Sequence, residues 1–309
     1  MCHRDRRYDI TVPARINVNG ALGPPESAAI SPLDRGFLFG DSVYETLRTY
    51  GGRLFLQREH LDRLRRSAEQ LGIPYDNAPV DVEREIGRTI AEAALPEAAL
   101  RVLVSRGPGP IGYDPEGCGP PSVVIYARPC PEIPGAWVRE GVDVAIVRVT
   151  RNARSALDPA IKSSNLLNNF LAWREARRLG AYEPILLNER EHLAEGASSN
   201  LFLVRSNRLL TPPLEEGLLE GITRGLVLDL ARRGGIETSE EALRADDLRG
   251  ADEAFLTSTL KGVLPVRRCD GWPIQHGRPG PITLRILDLF EERIQAETKA
   301  GSAPDSIRK

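Results

Sequence analysis

Cysteine and histidine are scarce in this chain of 309 residues. Cys2, Cys118, Cys130 and Cys269 form no C-x-x-C pair, and the four histidines do not cluster beside them. That excludes the ligand spacing of a zinc site; no metal is expected, and the cysteines read as reduced thiols of a cytoplasmic protein. Long apolar runs are missing too. No stretch is long enough to span a bilayer, and the charged start Met1 to Arg7 leads into no apolar segment of signal-peptide type. Secretion and membrane insertion are therefore not expected. Neither sign of charge dominates, with 41 basic and 43 acidic residues interspersed, so nothing argues for nucleic acid or an anionic membrane as partner. Small molecules are the expected partners.

What is present is a soluble, globular composition, 41% hydrophobic and 27% charged, on a chain long enough for two domains and without internal repeats. Glycine and proline punctuate it. Strands are predicted at Arg15 to Val18, then at Val43 to Tyr50 and Arg53 to Leu56 across the Gly51-Gly52 turn. Helical spacing of Leu61, Leu64, Ala68 and Leu71 predicts a helix from Arg58 to Leu71, with another over Val82 to Ala94. Strands at Leu100 to Ser105 and Val123 to Ala127 flank Gly107 to Gly117, a segment too rich in Gly and Pro for regular structure and read as a mobile loop.

Pro129, Pro131 and Pro134 stand too close for a helix or a central strand to continue, which marks a linker. The expected division is a small N-terminal domain over 1–130, a Pro-rich linker over 131–138, a larger domain over 139–297, and a disordered polar tail over 298–309. In the second part a strand is predicted at Val142 to Val149. Leu166, Leu167, Phe170, Leu171, Trp173 and Leu179 line a helix that Gly180 ends. Strands follow at Pro184 to Asn188, His192 to Glu195, Asn200 to Val204, Arg208 to Thr211 and Ala254 to Ser258. A hairpin at Asp270-Gly271 and helices over Thr223 to Arg233 and Pro281 to about Glu297 complete the reading.

The segment Ala160-Ile161-Lys162-Ser163-Ser164-Asn165 sets one lysine just ahead of a helix, among small polar neighbours. Lysine does covalent chemistry only when its amine is neutral part of the time, which desolvation or a nearby positive charge brings about. By itself such a lysine is more often a solvated surface residue.

Its company changes the weighting. Asp34-Arg35-Gly36-Phe37-Leu38-Phe39-Gly40-Asp41-Ser42-Val43-Tyr44-Glu45 comes first, then Glu59-His60-Leu61-Asp62-Arg63-Leu64. Lys162 follows, and after it Glu195-Gly196-Ala197-Ser198-Ser199-Asn200, Leu219-Glu220-Gly221-Ile222-Thr223-Arg224 and Leu256-Thr257-Ser258-Thr259. This order resembles the class IV, or fold type IV, pyridoxal-phosphate enzymes: branched-chain aminotransferases, D-amino acid aminotransferases and aminodeoxychorismate lyases. The resemblance runs from about Asn17 to Ile274. It implies a mixed α+β and α/β protein with a smaller N-terminal α/β domain. The larger C-terminal domain would carry a barrel-like mixed sheet flanked by helices, with the active site in the cleft between domains.

It also implies pyridoxal 5'-phosphate as cofactor, a homodimer, and roles for named residues. Lys162 would form the internal Schiff base with the cofactor and then move the substrate proton. Glu195 would face the pyridine nitrogen, with Ser199 and Asn200 beside it, and Leu219 would pack on the ring. Phosphate contacts would come from Arg63, Gly221, Ile222, Thr223, Ser258 and Thr259. Read alone, Arg63 is an ordinary helix-face arginine, Glu195 a turn glutamate and Thr223 an N-cap. Tyr44 and Thr46, on one face of their strand, would line the substrate pocket with Arg101 and Tyr113; a half-buried core tyrosine is the rival reading for Tyr44.

Substrate choice is less legible. The D-amino acid enzymes carry Arg-x-His in the Gly/Pro loop, where this chain has Ile111 and Tyr113. Branched-chain enzymes carry Tyr-x-Arg on the preceding strand, where this chain keeps only the arginine, as Ala99 and Arg101. Lyases have Ser-Arg-Gly-x-Gly, which Ser105 to Gly109 reproduces, but their loop arginine is replaced by Ile111. The reading is a transaminase working by a ping-pong mechanism between an amino acid, branched-chain-like and L in preference, and a 2-oxo acid such as 2-oxoglutarate. An aminodeoxychorismate lyase and a D-amino acid or (R)-amine transaminase are the alternatives. Arg101 would meet a carboxylate of substrate, unless it is an edge-strand charge that discourages aggregation.

Overall fold

The computed structural model describes residues 14–300, so Cys2, the charged start and the residues after Ala300 lie outside the described residues. The chain divides into two compact units, Met1–Pro131 and Glu132–Lys309.

The first unit holds β1 (Arg15–Val18), β2 (Ala21–Gly23), α1 (Arg35–Phe39), β3 (Ser42–Tyr50), β4 (Arg53–Leu54), α2 (Gln57–Gln70), α3 (Val82–Ala93), β5 (Ala98–Ser105) and β6 (Ser122–Pro129). Its strands form one antiparallel sheet in the order β2-β1-β6-β5-β3-β4. Alternation along β3 decides which residues meet the helices. Val43, Glu45, Leu47 and Thr49 are buried, whereas Tyr44, Thr46, Arg48 and Tyr50 on the opposite face are half-buried. α2 packs on β3 through Leu61, Leu64 and Ala68, the periodic set, and adds His60, Arg63 and Ser67 to the buried face. A buried arginine and histidine need partners, and Glu45 on β3 supplies one.

The second unit holds α4 (Gly135–Glu140), β7 (Val142–Ile146), α5 (Leu167–Arg178), β8 (Glu183–Leu187), β9 (Leu193–Gly196), β10 (Asn200–Arg205) and β11 (Arg208–Thr211). It continues with α6 (Ile222–Arg233), β12 (Thr238–Glu240), α7 (Ala245–Arg249), β13 (Glu253–Ser258), β14 (Gly262–Cys269), β15 (Trp272–Pro273) and α8 (Pro281–Ala300). The sheet is mixed, in the order β12-β11-β10-β13-β14-β7-β8-β9 with β15 paired to β14. Its core is aliphatic, including Ile185, Leu193, Leu201, Leu256 and Leu264. Phe202 and Phe255, register partners on β10 and β13, stack at 4.9 Å and are fully buried, each worth about 1.5–3 kcal/mol of burial. The buried Glu253 carboxylate accepts the amides of Ile282 (3.0 Å) and Thr283 (2.7 Å), which caps α8 and anchors it to β13.

Several expectations shift. α4 starts at Gly135, inside the expected linker, and the strand expected to reach Val149 ends at Ile146. Thr298 to Ala300, expected in the tail, continue α8, and the rest of that tail lies outside the described residues. The helix after Lys162 is lined differently from the reading above: Leu167, Phe170, Leu171 and Trp173 are exposed, with Leu179 beyond the helix end, and it packs through the small Ala172 and Ala176. Ala172 and Ala176 pack with Ala145, Val147, Ala181 and Leu186, and the bulky apolar positions face outward. Gly221, not Thr223, is the N-cap of α6. Arg101 is not on an edge, because β5 lies between β6 and β3.

Candidate active site

Glu195, on β9, is a buried and tightly held carboxylate of the second unit. Its side chain is 6% exposed, and its carboxylate receives Arg151 Nη2 at 2.7 Å on one oxygen, then the Leu219 amide at 3.1 Å and Asn200 Nδ2 at 3.3 Å on the other. Burial pushes the carboxyl above its usual range, opposed by Arg151, the Leu219 N–H and the Lys162 charge. Lys162, partly buried in the segment between β7 and α5, is therefore within electrostatic reach of Glu195. Arg151 ties the two regions together: its other amino nitrogen donates to Asn168 Oδ1 (3.2 Å) and Asn169 Oδ1 (3.3 Å) in the first turn of α5, the helix that Lys162 precedes.

Asn200 also donates to the Leu219 carbonyl at 3.0 Å, so the loop before α6 is fastened to the start of β10. The approach is close enough that a Cβ on Gly221 would lie 1.9 Å from Asn200 Oδ1; only glycine fits there. The N-terminus of α6 has a glycine cap and no side-chain cap bond, and Thr223 sits buried in its first turn. Asn200 is the register partner of Thr257, which places Ser258 and Thr259 at the same end of the sheet, and α6 packs on β13. Ser258 Oγ is buried without a hydrogen-bond partner among the described residues. Such an atom is costly unless something meets it.

Behind Glu195 and Asn200 lies the Gly196 to Ser199 turn. Glu183 Oε1 accepts the Ser198 amide (2.8 Å), the Ser198 hydroxyl (3.1 Å) and the Ser199 hydroxyl (2.9 Å). Lys261, from the β13–β14 turn, reaches Glu183 Oε2 at 3.3 Å and Ser198 Oγ at 2.9 Å. The Ser199 hydroxyl proton is thus committed to Glu183, while its oxygen can still accept.

In the first unit, Arg63 is 5% exposed, unlike its exposed neighbours Arg65 and Arg66. Its Nε and Nη2 donate to the two Glu45 oxygens at 2.6 and 2.9 Å, and His60 Nδ1 lies 2.7 Å from Glu45 Oε2. Glu45 is held down to about 2: burial would raise it, and the Arg63 charge and the His60 bond more than reverse that. On the other face of β3, the Arg101 guanidinium lies 3.8 Å above the Tyr44 ring, with Thr46 its register partner. Tyr113, on the Gly/Pro loop, is 92% exposed. Tyr44, Thr46 and Arg101 thus share a face, whereas Tyr113 stands on the loop.

A family model described as amino-transferase class IV matches residues 42–269. The chain is a class IV aminotransferase. It is 34% identical over 91% of its length to a branched-chain-amino-acid aminotransferase of Salmonella typhimurium, covering 93% of that protein. A D-alanine aminotransferase of Bacillus licheniformis is 33% identical over 92% of this chain and 98% of its own. The crystal structure of the Escherichia coli branched-chain amino acid aminotransferase superposes with a TM-score of 0.86 at 32% identity, covering 92% of this chain and 95% of that one.

The aminotransferase therefore has fold type IV and depends on pyridoxal phosphate. Its donors fit that group: a buried carboxylate for a ring nitrogen, and an orphaned buried hydroxyl with a glycine-capped helix start for phosphate oxygens. Arg151, Asn168, Asn169, Glu183 and Lys261 escaped the sequence reading. Arg151 lies in Arg148-Val149-Thr150-Arg151, where nothing local marks one arginine from the other, and the Glu183 to Lys261 pairing spans 78 residues. Among the described residues no helix is long and apolar enough to cross a membrane, and no cluster of His, Cys, Asp and Glu is placed to hold a metal.

Proposed function

We propose that this aminotransferase transfers the amino group of a branched-chain-type L-amino acid to a 2-oxo acid such as 2-oxoglutarate, in two half-reactions of one site. The observation that carries the reading is the buried Glu195, clamped by Arg151, Asn200 and Leu219 within reach of Lys162. When bound, pyridoxal phosphate supplies a carbonyl for the amino group and a ring that delocalises the electron pair left at the substrate α-carbon. The Glu195 carboxylate, oriented by Arg151, Asn200 and the Leu219 amide, would hold a proton on the ring nitrogen. Lys162 anchors the cofactor and, once released, carries the proton to and from the α-carbon. Gly221, Ile222, Thr223, Ser258, Thr259 and Arg63 hold the phosphate, Arg63 being aimed by Glu45. Leu219 supports the ring, and Ser199 and Asn200 hold the carboxylate's surroundings.

Tyr44, Thr46, Arg101 and Tyr113 meet the substrate. The interior position of its strand and its stacking on Tyr44 support a carboxylate-binding role for Arg101 over that of an edge charge. Arg106, the arginine of the lyase-like Ser-Arg-Gly-x-Gly, is spent instead on Asp41 and the carbonyls of Leu71 and Gly72, so that motif has a structural use. The D-alanine aminotransferases among the relatives favour D-amino acids as the second reading. A homodimer is proposed, supported by the exposed apolar Leu33, Phe37, Ile111 and Tyr113 in and near the Gly/Pro loop, and the location proposed is cytoplasmic. The test follows loss of the bound cofactor's absorbance with L-amino acids, D-amino acids and chiral amines in turn. Response to L-branched-chain substrates supports the proposal, response to D-alanine alone replaces it with the second reading, and pyruvate release without an acceptor would make the protein a lyase. Arg101→Leu is expected to raise KM for 2-oxoglutarate by about tenfold or more.

A further inference from the structure

The segment Asp34 to Asp41 contributes no residue to the chemistry above, although its composition is unusual for a five-residue helix with flanks. The structure gives it a different use. Backbone bonds from the Arg35 amide to the Gly107 carbonyl (3.0 Å) and from the Gly109 amide to the Leu33 carbonyl (3.2 Å) dock it along the base of the Gly/Pro loop. Asp34 accepts the Gly36 amide (2.8 Å) and the Ser105 hydroxyl (3.0 Å), which fixes the turn from both sides. Gly36 has to be glycine, since a Cβ there would lie 2.7 Å from that of Ser105.

The Arg35 side chain then reaches across to the loop's far limb. Its side chain is 6% exposed, and three edges of the guanidinium are used at once: Nε on Asp41 Oδ2 at 3.0 Å, Nη1 on the Gly112 carbonyl at 2.7 Å, and Nη2 on the Tyr113 carbonyl at 3.3 Å. The Phe39 ring lies 4.8 Å below the guanidinium and 6.1 Å from the Tyr113 ring. Asp41 is in turn fixed by Arg106 at 2.7 and 3.2 Å, and Arg106 is anchored on the Leu71 and Gly72 carbonyls at the end of α2. Burial would raise the Asp41 carboxyl, and the bonds from Arg106 and Arg35 hold it below its usual range, so the charge that orients Arg35 persists across the working pH range.

Within one protomer Gly112 and Tyr113 are otherwise open: a Cβ on Gly112 would meet nothing within 4 Å, and the Tyr113 side chain is exposed. A loop of this composition has many conformations unless something outside it chooses one. We propose that Arg35 is a positioning residue for substrate specificity, a latch that selects one conformation of the 107–117 loop and so fixes where Ile111 and Tyr113 are presented to the amino donor and the acceptor. This rests on the proposed role of Tyr113 at the substrate. A planar fork can satisfy two carbonyls and a carboxylate together; an ammonium on a single atom cannot span them.

The experiment compares wild type, Arg35→Lys, Tyr113→Ala and the double variant, all as holoenzyme, with Arg35→Met as a further loop probe. Hydrogen–deuterium exchange of the 107–117 peptide is expected to speed up about tenfold or more in Arg35→Lys, while the melting temperature and the pyridoxal phosphate dissociation constant stay near wild type. KM for donor and acceptor should rise about five- to tenfold with kcat changed less than twofold, and this rise should vanish in the Tyr113→Ala background. Unchanged loop exchange in both Arg35 variants overturns the latch. So does a KM effect that multiplies independently with that of Tyr113→Ala. If wild type transaminates nothing, the proposed function fails, and the exchange arm still decides whether Arg35 holds the loop.

Discussion

Replacing Glu45 by glutamine tests how the first unit holds Arg63. The carboxylate is fully buried, takes two N–H bonds from Arg63 and one contact from His60, and is lowered from 4.5 to about 2. A shift of that size corresponds to roughly 3 kcal/mol of stability at neutral pH. Glutamine fills the same space but leaves the Arg63 charge buried without its counter-ion, a change that costs about 3–5 kcal/mol. For a unit of this size the expected fall in melting temperature is roughly 10 °C or more. Because the folded value lies below the unfolded one, the wild-type contribution is fully present above 4.5 and is lost as pH falls towards 2. The assay is thermal melting of both apo-proteins from neutral to acid pH. The gap between them should be widest near neutrality and narrow steadily below 4.5. A gap that stays constant into acid, or one under about 3 °C at neutral pH, would refute the ion-pair argument.

Lys162→Met should reduce both half-reactions by roughly 10³-fold or more, and borohydride reduction with pyridoxal phosphate should then leave no added mass on the 160–167 peptide; retained labelling would move the anchor elsewhere. Glu195→Gln should lower kcat by about 100-fold with cofactor still bound, measured by single-turnover amino transfer, and an unchanged rate would remove Glu195 from the ring nitrogen. Lys261→Met, which frees Glu183 and Ser198 from their shared cation, is expected to raise the cofactor dissociation constant about tenfold in equilibrium dialysis. An unchanged constant would mean that the lysine only decorates the turn.

Most elements were legible because their periodicity is local. β3 alternates, α2 repeats at helical spacing, and Gly51-Gly52 and Asp270-Gly271 sit at hairpin turns with positive φ, which glycine adopts freely and aspartate tolerates. Where the reading failed, the deciding term was distant. The apolar residues of α5 suggested a buried bulky face, but the helix packs through Ala172 and Ala176 and leaves the bulky residues exposed. Arg101 could be an edge charge until the strand order placed β5 in the interior of its sheet.

The sequence by itself determined the family and the order of the candidate residues around Lys162, because those are residue types at spacings that no packing needs to be known to read. It also determined where the loop lies, since Gly and Pro forbid regular structure over 107–117. Tertiary structure alone decided which charges are paired. Arg63 and Arg65 are indistinguishable as letters, yet one is buried against Glu45 and the other is exposed. Arg151 meets Glu195 across 44 residues, and Arg35 meets Gly112 across 77. The cost of an unpaired buried charge or carbonyl fixes such meetings, and that cost exists only once the chain has closed around them.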